Sequence, residues 1–251
     1  MSDLDRSIAG VERAEASVGR LRRLEAMTAA ELAVLLGGDP VAALPWVRAA
    51  AAHGVVEAQT RLGRMLLDGT GVAADPAAAL RWFGQAARGG DADAMNMVGR
   101  CHENGWGTPV DDPAAAAWYR RSAAAGHDWG EYNYAHMLFD GRGVACDRAA
   151  ALALYERAAG RGHGRAMNLA GRCHEAGWGT VPDARAADRW YAKSAATGYF
   201  RGQYNHALAL LGRGETAAAR DWLQRAHAGG DAPMRAQVDR LLAAAAASKA
   251  A

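Results

Sequence analysis

Apolar positions recur with a helical period in short blocks, and the blocks repeat every 36 residues. Over 114–124, for example, Trp118, Tyr119 and the small Ala123 form one apolar face of a predicted helix. A second helix is predicted in each block, as over 94–104. The repeating unit is therefore a predicted helical hairpin of about 36 residues.

Glycines mark the ends of these predicted helices. Single glycines end the second helix of each block, and Gly-x-Gly pairs end the first, because glycine tolerates the left-handed conformation found at helix C-termini. The single glycines are Gly54, Gly90, Gly126, Gly162, Gly198 and, after a shorter interval, Gly230; the pairs are Gly69/Gly71, Gly105/Gly107, Gly141/Gly143 and Gly177/Gly179. Asp75 before Pro76 and Asp112 before Pro113 are predicted N-caps of the second helices.

A large apolar residue also recurs in this register, at Trp46, Trp82, Trp118, Leu154, Trp190 and Trp222. Core packing explains these tryptophans better than a cofactor site. One hairpin cannot bury both of its faces, so the predicted fold class is all-α, an α-α superhelix (solenoid) of stacked helical hairpins. Pro45 is expected to kink or delay the helix over 41–53, and Thr28 with Glu31 forms a predicted capping box.

The residues over 58–90 carry a recognisable pattern: Ala-x-x-x-Leu-Gly, then Asp-Gly-x-Gly-Val, Asp, and Ala-x-x-Trp-Phe-x-x-Ala-Ala-x-x-Gly. This pattern resembles the Sel-one-like repeat, a relative of the tetratricopeptide repeat. The resemblance implies a non-catalytic adaptor or scaffold that binds partners on a concave face. The predicted organisation is an N-terminal helical cap at 1–38, a half-unit at 39–53, units at 54–89, 90–125, 126–161, 162–197 and 198–229, and a C-terminal capping helix and tail at 231–251.

Composition narrows the function further. Twenty-nine basic and 27 acidic residues give a formal charge of +2, and the charges are interleaved, which argues against a nucleic-acid partner. No run of 18 apolar residues is present, so membrane insertion is not expected. Three cysteines are too few and too scattered for a disulfide framework, and the first residues do not resemble a secretory signal, so the expected location is the cytoplasm.

A second period of 72 residues marks candidate binding residues. The segments 94–108 and 166–180 are nearly identical, and 130–133 resembles 202–205. Recent duplication alone explains this, and two equivalent pockets along one groove are the functional alternative. Polar residues spaced for one helical face, together with a loop tryptophan, suggest a groove for an extended peptide, because Asn bonds a peptide backbone and Arg clamps a carboxylate. The candidates are Asn96, Arg100, Glu103, Trp106, Asn133, His136, Asn168, Arg172, Glu175, Trp178 and Asn205. Each loop indole is either an exposed anchor or folded over its own hairpin.

The duplicated Cys-His-Glu segments raise an alternative, a metal- or haem-linked accessory protein, for example in iron handling. The candidate ligands are Cys101, His102, His136, Cys173 and His174. Adjacent helical residues point about 100° apart, so Cys101 and His102 are poorly placed to chelate one ion. The sequence therefore predicts no bound metal, no cofactor and no enzymatic activity. A protein or peptide partner is expected, and the oligomeric state is left open.

Overall fold

The computed structural model describes residues 15–16, 18–20, 22–24, 26–28, 31 and 38–250, with side chains up to residue 243. Within these residues the chain is helical and contains no strand. Most of the predicted N-terminal cap lies outside them. The predicted capping box is present, since the Thr28 N–H donates to Glu31 Oε2 at 2.8 Å and the Glu31 N–H donates to Thr28 Oγ1 at 3.3 Å.

The chain divides into two compact units, residues 1–125 and 126–251. The described helices of the N-terminal unit are α1 (Pro40–Ala52), α2 (Val56–Asp68), α3 (Pro76–Arg88), α4 (Ala92–Asn104) and α5 (Asp112–Ala124). Those of the C-terminal unit are α6 (Asp128–Asp140), α7 (Arg148–Gly160), α8 (Gly164–Ala176), α9 (Ala184–Ala196), α10 (Phe200–Gly212), α11 (Thr216–Gly229) and α12 (Ala232–Ala250). Within each unit every helix packs on the next, and α8 also contacts α10. The predicted class of stacked helical hairpins is confirmed.

The deepest core position is the residue that follows the repeat tryptophan or, in one repeat, Leu154. Phe83, Tyr119, Tyr155 and Tyr191 are between 0% and 3% exposed. The tryptophans themselves are half-buried, and the cation of Arg121 lies 4.6 Å from the centre of the Trp118 ring. Trp82, Trp118, Trp190 and Trp222 contact the core clusters, so the prediction of core packing is correct for these four. A cation lies over one face of Trp46, Trp118, Trp190 and Trp222.

The loop glycines have a second purpose beyond ending helices. Gly179 has φ +77°, and a Cβ at this position would lie 2.2 Å from the Arg148 carbonyl oxygen at the start of α7. Gly107 approaches the Pro76 carbonyl in the same way, at 2.3 Å. Because only glycine fits between two backbones this close, the second glycine of these loops packs the loop on the preceding repeat.

Two local predictions need correction. The N-cap of α5 is Asp111, whose side chain accepts the Ala114 N–H, and not Asp112, which is the first helical residue. The helix that contains Pro45 is not delayed, because Asp39 caps it and it begins at Pro40. Pro40 needs no N–H at this first position. The final helix begins at Ala232, and Met234 and Val238 pack in the core of the C-terminal unit.

Candidate functional site

Four of the predicted site residues line one cavity in the C-terminal unit. His136, Asn168, Arg172 and Asn205 come from α6, α8 and α10, the first helices of three successive repeats, and residues of α12 complete the lining. The cavity has a volume of about 560 Å³. We call it the C-terminal groove. Its lining residues are Tyr132, His136, Arg165, Asn168, Leu169, Arg172, Tyr199, Arg201, Tyr204, Asn205, Asp231, Pro233, Met234 and Gln237.

The lining of the C-terminal groove is positively charged. It carries three arginines against a single carboxylate, Asp231. Arg201 lies 3.7 Å from Asp231, which is longer than a hydrogen bond, and both side chains are about half exposed. Arg165 and Arg172 form no ion pair with any carboxylate among the described residues. A cleft with this charge excess attracts anionic groups.

Aromatic rings hold the two arginines that lack a carboxylate. The Arg172 guanidinium carbon lies 5.4 Å from the centre of the Trp178 ring, and that of Arg165 lies 5.4 Å from Trp129 and 5.9 Å from Tyr199. These distances are within the range of cation–π attraction. The rings therefore restrict the guanidinium groups; Arg165 also acts as a hydrogen-bond donor toward the Tyr132 hydroxyl and lowers its pKa, against the larger effect of burial.

A pair of amides links the first helices at the bottom of the groove. The Asn205 Nδ2 donates to Asn168 Oδ1 at 2.8 Å, and Asn168 is only 4% exposed. An Asn side chain has two donors and an acceptor oxygen, so this bond uses part of the capacity of Asn205. Two of the predicted groove residues, Asn168 on α8 and Asn205 on α10, are thus hydrogen-bonded to each other.

Stacked aromatic side chains support the α6 side of the groove. Tyr132 packs edge-to-face on His136 at 4.7 Å and stacks on His163 at 4.8 Å. Burial raises the pKa of Tyr132 and lowers the pKa of His163, so both rings are neutral near pH 7. His163 Nδ1 accepts the Ala166 N–H at the start of α8. The Tyr132 and His163 part of this wall is therefore uncharged, and it is fixed to a helix terminus.

A smaller cavity of about 200 Å³ adjoins the C-terminal groove and shares His136, Leu169 and Arg172 with it. Trp178 lines this cavity, packs edge-to-face on Phe139 at 5.2 Å and contacts the core of its unit. We call it the Trp178 pocket. Its lining residues are His136, Phe139, Asp140, Tyr155, Leu169, Arg172, Cys173 and Trp178. The indole therefore packs between its own helix α8 and helix α6 of the preceding hairpin, and it forms one wall of a pocket.

The two predicted glutamates bind within their own hairpins. The hydroxyl of the buried Tyr119 donates to Glu103 at 2.5 Å, and that of Tyr191 donates to Glu175 at 2.7 Å. Neither glutamate lines the C-terminal groove. Each glutamate shares a helical face with Arg100 or Arg172, but its carboxylate is hydrogen-bonded to a tyrosine of the following helix.

The matching residues of the N-terminal unit have a different electrostatic setting. Arg100 lies 5.0 Å from the ring of Trp106, as Arg172 does from Trp178, and Asn96 is buried. Near them Arg64 and Asp93 form an ion pair at 2.5 Å. All five residues lie in the N-terminal unit. Because Asp93 binds Arg64, its carboxylate offsets part of the positive charge of the arginines there.

The remaining candidates do not form a metal site in the structure. Asn133 is half-buried and lies outside the groove lining. The pKa values of Cys101 and Cys173 are raised to about 11 by burial, and His174 Nε2 lies 2.8 Å from Glu156. Among the described residues no group of three or more His, Cys, Asp or Glu side chains is arranged to hold an ion. His102 is half-buried in α4.

Several groove residues were missed by the sequence analysis, although a signal for them exists. Tyr132, Arg165 and Arg201 lie one helical turn before His136, Asn168 and Asn205, at a spacing of three or four residues. Extending each predicted stripe by one turn would have found them. Tyr199 and Tyr204 had no comparable signal.

No described helix is long and apolar enough to cross a membrane.

Comparison with known proteins agrees with the hairpin architecture. The Sel1 repeat model matches residues 56–91, 92–127, 130–163 and 164–199, more than half of the chain. None of the curated proteins matches the chain significantly.

Among solved structures, the chain is similar to a Sel1 repeat protein from Oxalobacter formigenes, with 28% identity and a TM-score of 0.68 over 74% of this chain and 76% of that one. It is also similar to a protective antigen present in uropathogenic Escherichia coli strains, with 30% identity and a TM-score of 0.70 over 81% of this chain; the match spans 44% of the antigen. The extent of the repeat match confirms the resemblance drawn from the glycine, aspartate and aromatic register, and the chain belongs to the Sel1 repeat family.

Proposed function

We propose that this protein is a non-catalytic interaction module that binds a partner peptide or protein segment in the C-terminal groove. The observation that carries the proposal is the convergence of α6, α8, α10 and α12 on one polar and aromatic cavity. Such a cavity combines shape with a few oriented polar groups, as binding sites do. Repeat proteins of this architecture use the surface formed by successive repeats for recognition.

The groove suits an extended chain better than a compact small molecule. Its lining residues come from three successive repeats and from α12, so a ligand that fills it contacts several helices in sequence. The amides of Asn168 and Asn205 supply donors and acceptors of the kind a peptide backbone requires. The spacing of the repeats thus sets the spacing of the contacts to the ligand.

Photo-cross-linking tests this proposal in a lysate of the native host. A benzophenone amino acid replaces Tyr199, which lines the groove, and in a control variant it replaces the exposed Arg189 on α9. We expect defined partner proteins to be cross-linked from position 199 and not from position 189. The same products from both positions, or none from position 199 in a folded variant, would contradict the proposal.

We also propose a cytoplasmic location for the module. Cys101, Cys146 and Cys173 are free thiols, and Cys146 is exposed, as expected in a reducing compartment. Fractionation of host cells with immunoblotting checks this, and detection outside the cytoplasm would contradict it.

A further inference from the structure

We infer that the partner of the C-terminal groove is an acidic peptide segment in which an apolar or aromatic residue stands close to a carboxylate. This inference rests on the proposed function and specifies its ligand. The carboxylate would bind Arg165 or Arg172 in the C-terminal groove, and the apolar side chain would occupy the Trp178 pocket.

The lining of the C-terminal groove carries a net positive charge. Arg165 and Arg172 are exposed and have no carboxylate partner among the described residues. The carboxylate of Asp231 lies nearest Arg201, at 3.7 Å. Arginine binds a carboxylate through two parallel N–H groups, and such charge-assisted bonds are stronger than neutral ones. Two such groups in one cavity therefore favour an acidic ligand.

Aromatic rings contact both arginines before any ligand binds. Arg172 is stacked on Trp178, and Arg165 lies between Trp129 and Tyr199. A guanidinium already held against a ring loses less conformational entropy when a ligand binds. The rings thus restrict both guanidinium groups, and both arginines stay exposed to a ligand.

The Trp178 pocket places apolar surface next to the charged groove. Phe139, Tyr155, Leu169 and Trp178 provide most of the apolar surface of the Trp178 pocket, which has room for one side chain at about 200 Å³. Arg172 lines both this pocket and the C-terminal groove. An apolar residue in the pocket therefore lies beside a carboxylate bound to Arg172.

The N-terminal unit shows which positions distinguish the two copies of the duplication. Arg165 and His136 correspond, 72 residues earlier, to Asp93 and Arg64. Asp93 and Arg64 form an ion pair at 2.5 Å, whereas a second arginine stands at position 165 in the C-terminal unit. The preference for acidic peptides is therefore a property of the C-terminal unit and is not duplicated.

A single-stranded nucleic acid is the competing ligand, since it would also use arginines and aromatic rings. The groove and its adjoining pocket contain Asp231 and Asp140, and the whole chain has a formal charge of only +2. A phosphate backbone is attracted by broader positive surfaces than this. The observations favour a peptide.

Selection from a phage library of random dodecapeptides on the full chain tests the inference. We expect enrichment of peptides with Asp or Glu beside one apolar or aromatic residue. The selected peptides are then synthesised and titrated against Arg165→Gln, Arg172→Gln and the double variant. The control has the same charge loss as the double variant and carries Arg185→Gln/Arg189→Gln on α9. Affinity should fall about tenfold or more for each groove arginine removed and stay unchanged in the control.

Two further variants separate the roles of charge and stacking. Arg172→Lys keeps the charge but not the planar, bidentate group, so it should restore only part of the affinity lost in Arg172→Gln. Trp178→Ala, checked for folding by circular dichroism, should select peptides that keep the acidic residue and lose the apolar preference. Full affinity in Arg172→Lys and an unchanged apolar preference in Trp178→Ala would contradict these roles.

The outcomes distinguish this inference from the proposed function. Enrichment of neutral or basic peptides whose binding still requires groove residues would overturn the inference and leave the proposed function standing. No enrichment, or binding unaffected by every groove variant, would overturn both. Binding of single-stranded DNA or RNA oligonucleotides that depends on Arg165 and Arg172, with no peptide enriched, would assign the groove to nucleic acid instead.

Discussion

Replacing Arg157 and Arg161 together should destabilise the C-terminal unit more than replacing Glu131, the carboxylate that they bind. Glu131 on α6 is fully buried, with both oxygens accepting hydrogen bonds from these two arginines at the end of α7. The arginines are 55% and 45% exposed. Removing the arginines therefore leaves a buried charge, whereas removing the carboxylate leaves two exposed charges.

The expected magnitudes follow from that difference. Arg157→Gln/Arg161→Gln leaves a carboxylate buried without a cation, which costs about 3–5 kcal/mol. Glu131→Gln leaves two arginines that water can reach, and it keeps the shape of the side chain, so we expect a loss of about 1 kcal/mol. The structure already accommodates glutamine here, because Gln59 and Gln203 occupy the same repeat position and are buried.

Urea denaturation followed by far-ultraviolet circular dichroism measures both free energies of unfolding. A third variant adds Glu131→Met to the two arginine changes and should recover most of the loss, since a buried ion pair can be replaced by apolar groups with little cost. Methionine occupies this repeat position at Met95 and Met167. A Glu131→Gln variant as unstable as the double arginine variant, or no recovery with methionine, would refute the reasoning.

Two other predictions concern glycine and histidine. Gly171→Ala should lower the free energy of unfolding by about 1–3 kcal/mol, because its Cβ would lie 2.6 Å from the Tyr191 ring. At Gly84 a Cβ would meet nothing closer than 3.7 Å, so Gly84→Ala should raise the free energy of unfolding by about 0.5–1 kcal/mol in the same urea assay. Burial lowers the pKa of His163 from 6.5, so the stability it gives is complete above that pH and is lost as the pH falls through the lower, folded-state pKa. His163→Asn keeps an N-cap without titrating and should reduce the difference between urea midpoints at about pH 8 and pH 5; an unchanged difference would contradict this assignment.

Much of the fold was predictable because its constraints are local and repeat in register. A glycine at a left-handed helix end and an aspartate at a helix start are set by the backbone around them. The mistaken cap at Asp112 shows the limit of composition alone, since two adjacent aspartates are equally good caps. The 36-residue register from Asp75 leads to Asp111, whose N–H donates to the His102 carbonyl at 2.9 Å. The 36-residue spacing therefore identifies the N-cap where residue type alone does not.

The core and the groove were less predictable because they depend on contacts between helices. Consecutive helical residues differ by about 100° in direction, so size alone could not show that Tyr119, and not Trp118, points into the core. The same limit applies to Glu103, which shares a face with Arg100 but binds the hydroxyl of Tyr119 from the next helix. The spacing of residues along one helix cannot reveal a bond to another helix.

The duplication separates residues that hold the hairpins from residues that face a ligand. The Ser122 hydroxyl donates to the Ala92 carbonyl at 2.6 Å, and Ser194 donates to the Gly164 carbonyl at 2.7 Å, just as the tyrosine–glutamate bonds recur in both copies. These bonds lie between helices of one unit, and the side chains that form them are of the same type in both copies. The copies differ at position 165, where arginine stands in place of an aspartate.

A change of sign at a groove position alters the ligand without disturbing the hairpin that carries it. Arg165→Asp in the C-terminal unit should therefore lower the free energy of unfolding by no more than about 1 kcal/mol, the scale of the exposed cation–π contacts it removes. The same change should abolish the selection of acidic peptides, because a carboxylate would then face the carboxylate of the ligand. Loss of folding together with loss of binding would show that position 165 also supports the hairpin, and the separation argued from the duplication would be wrong.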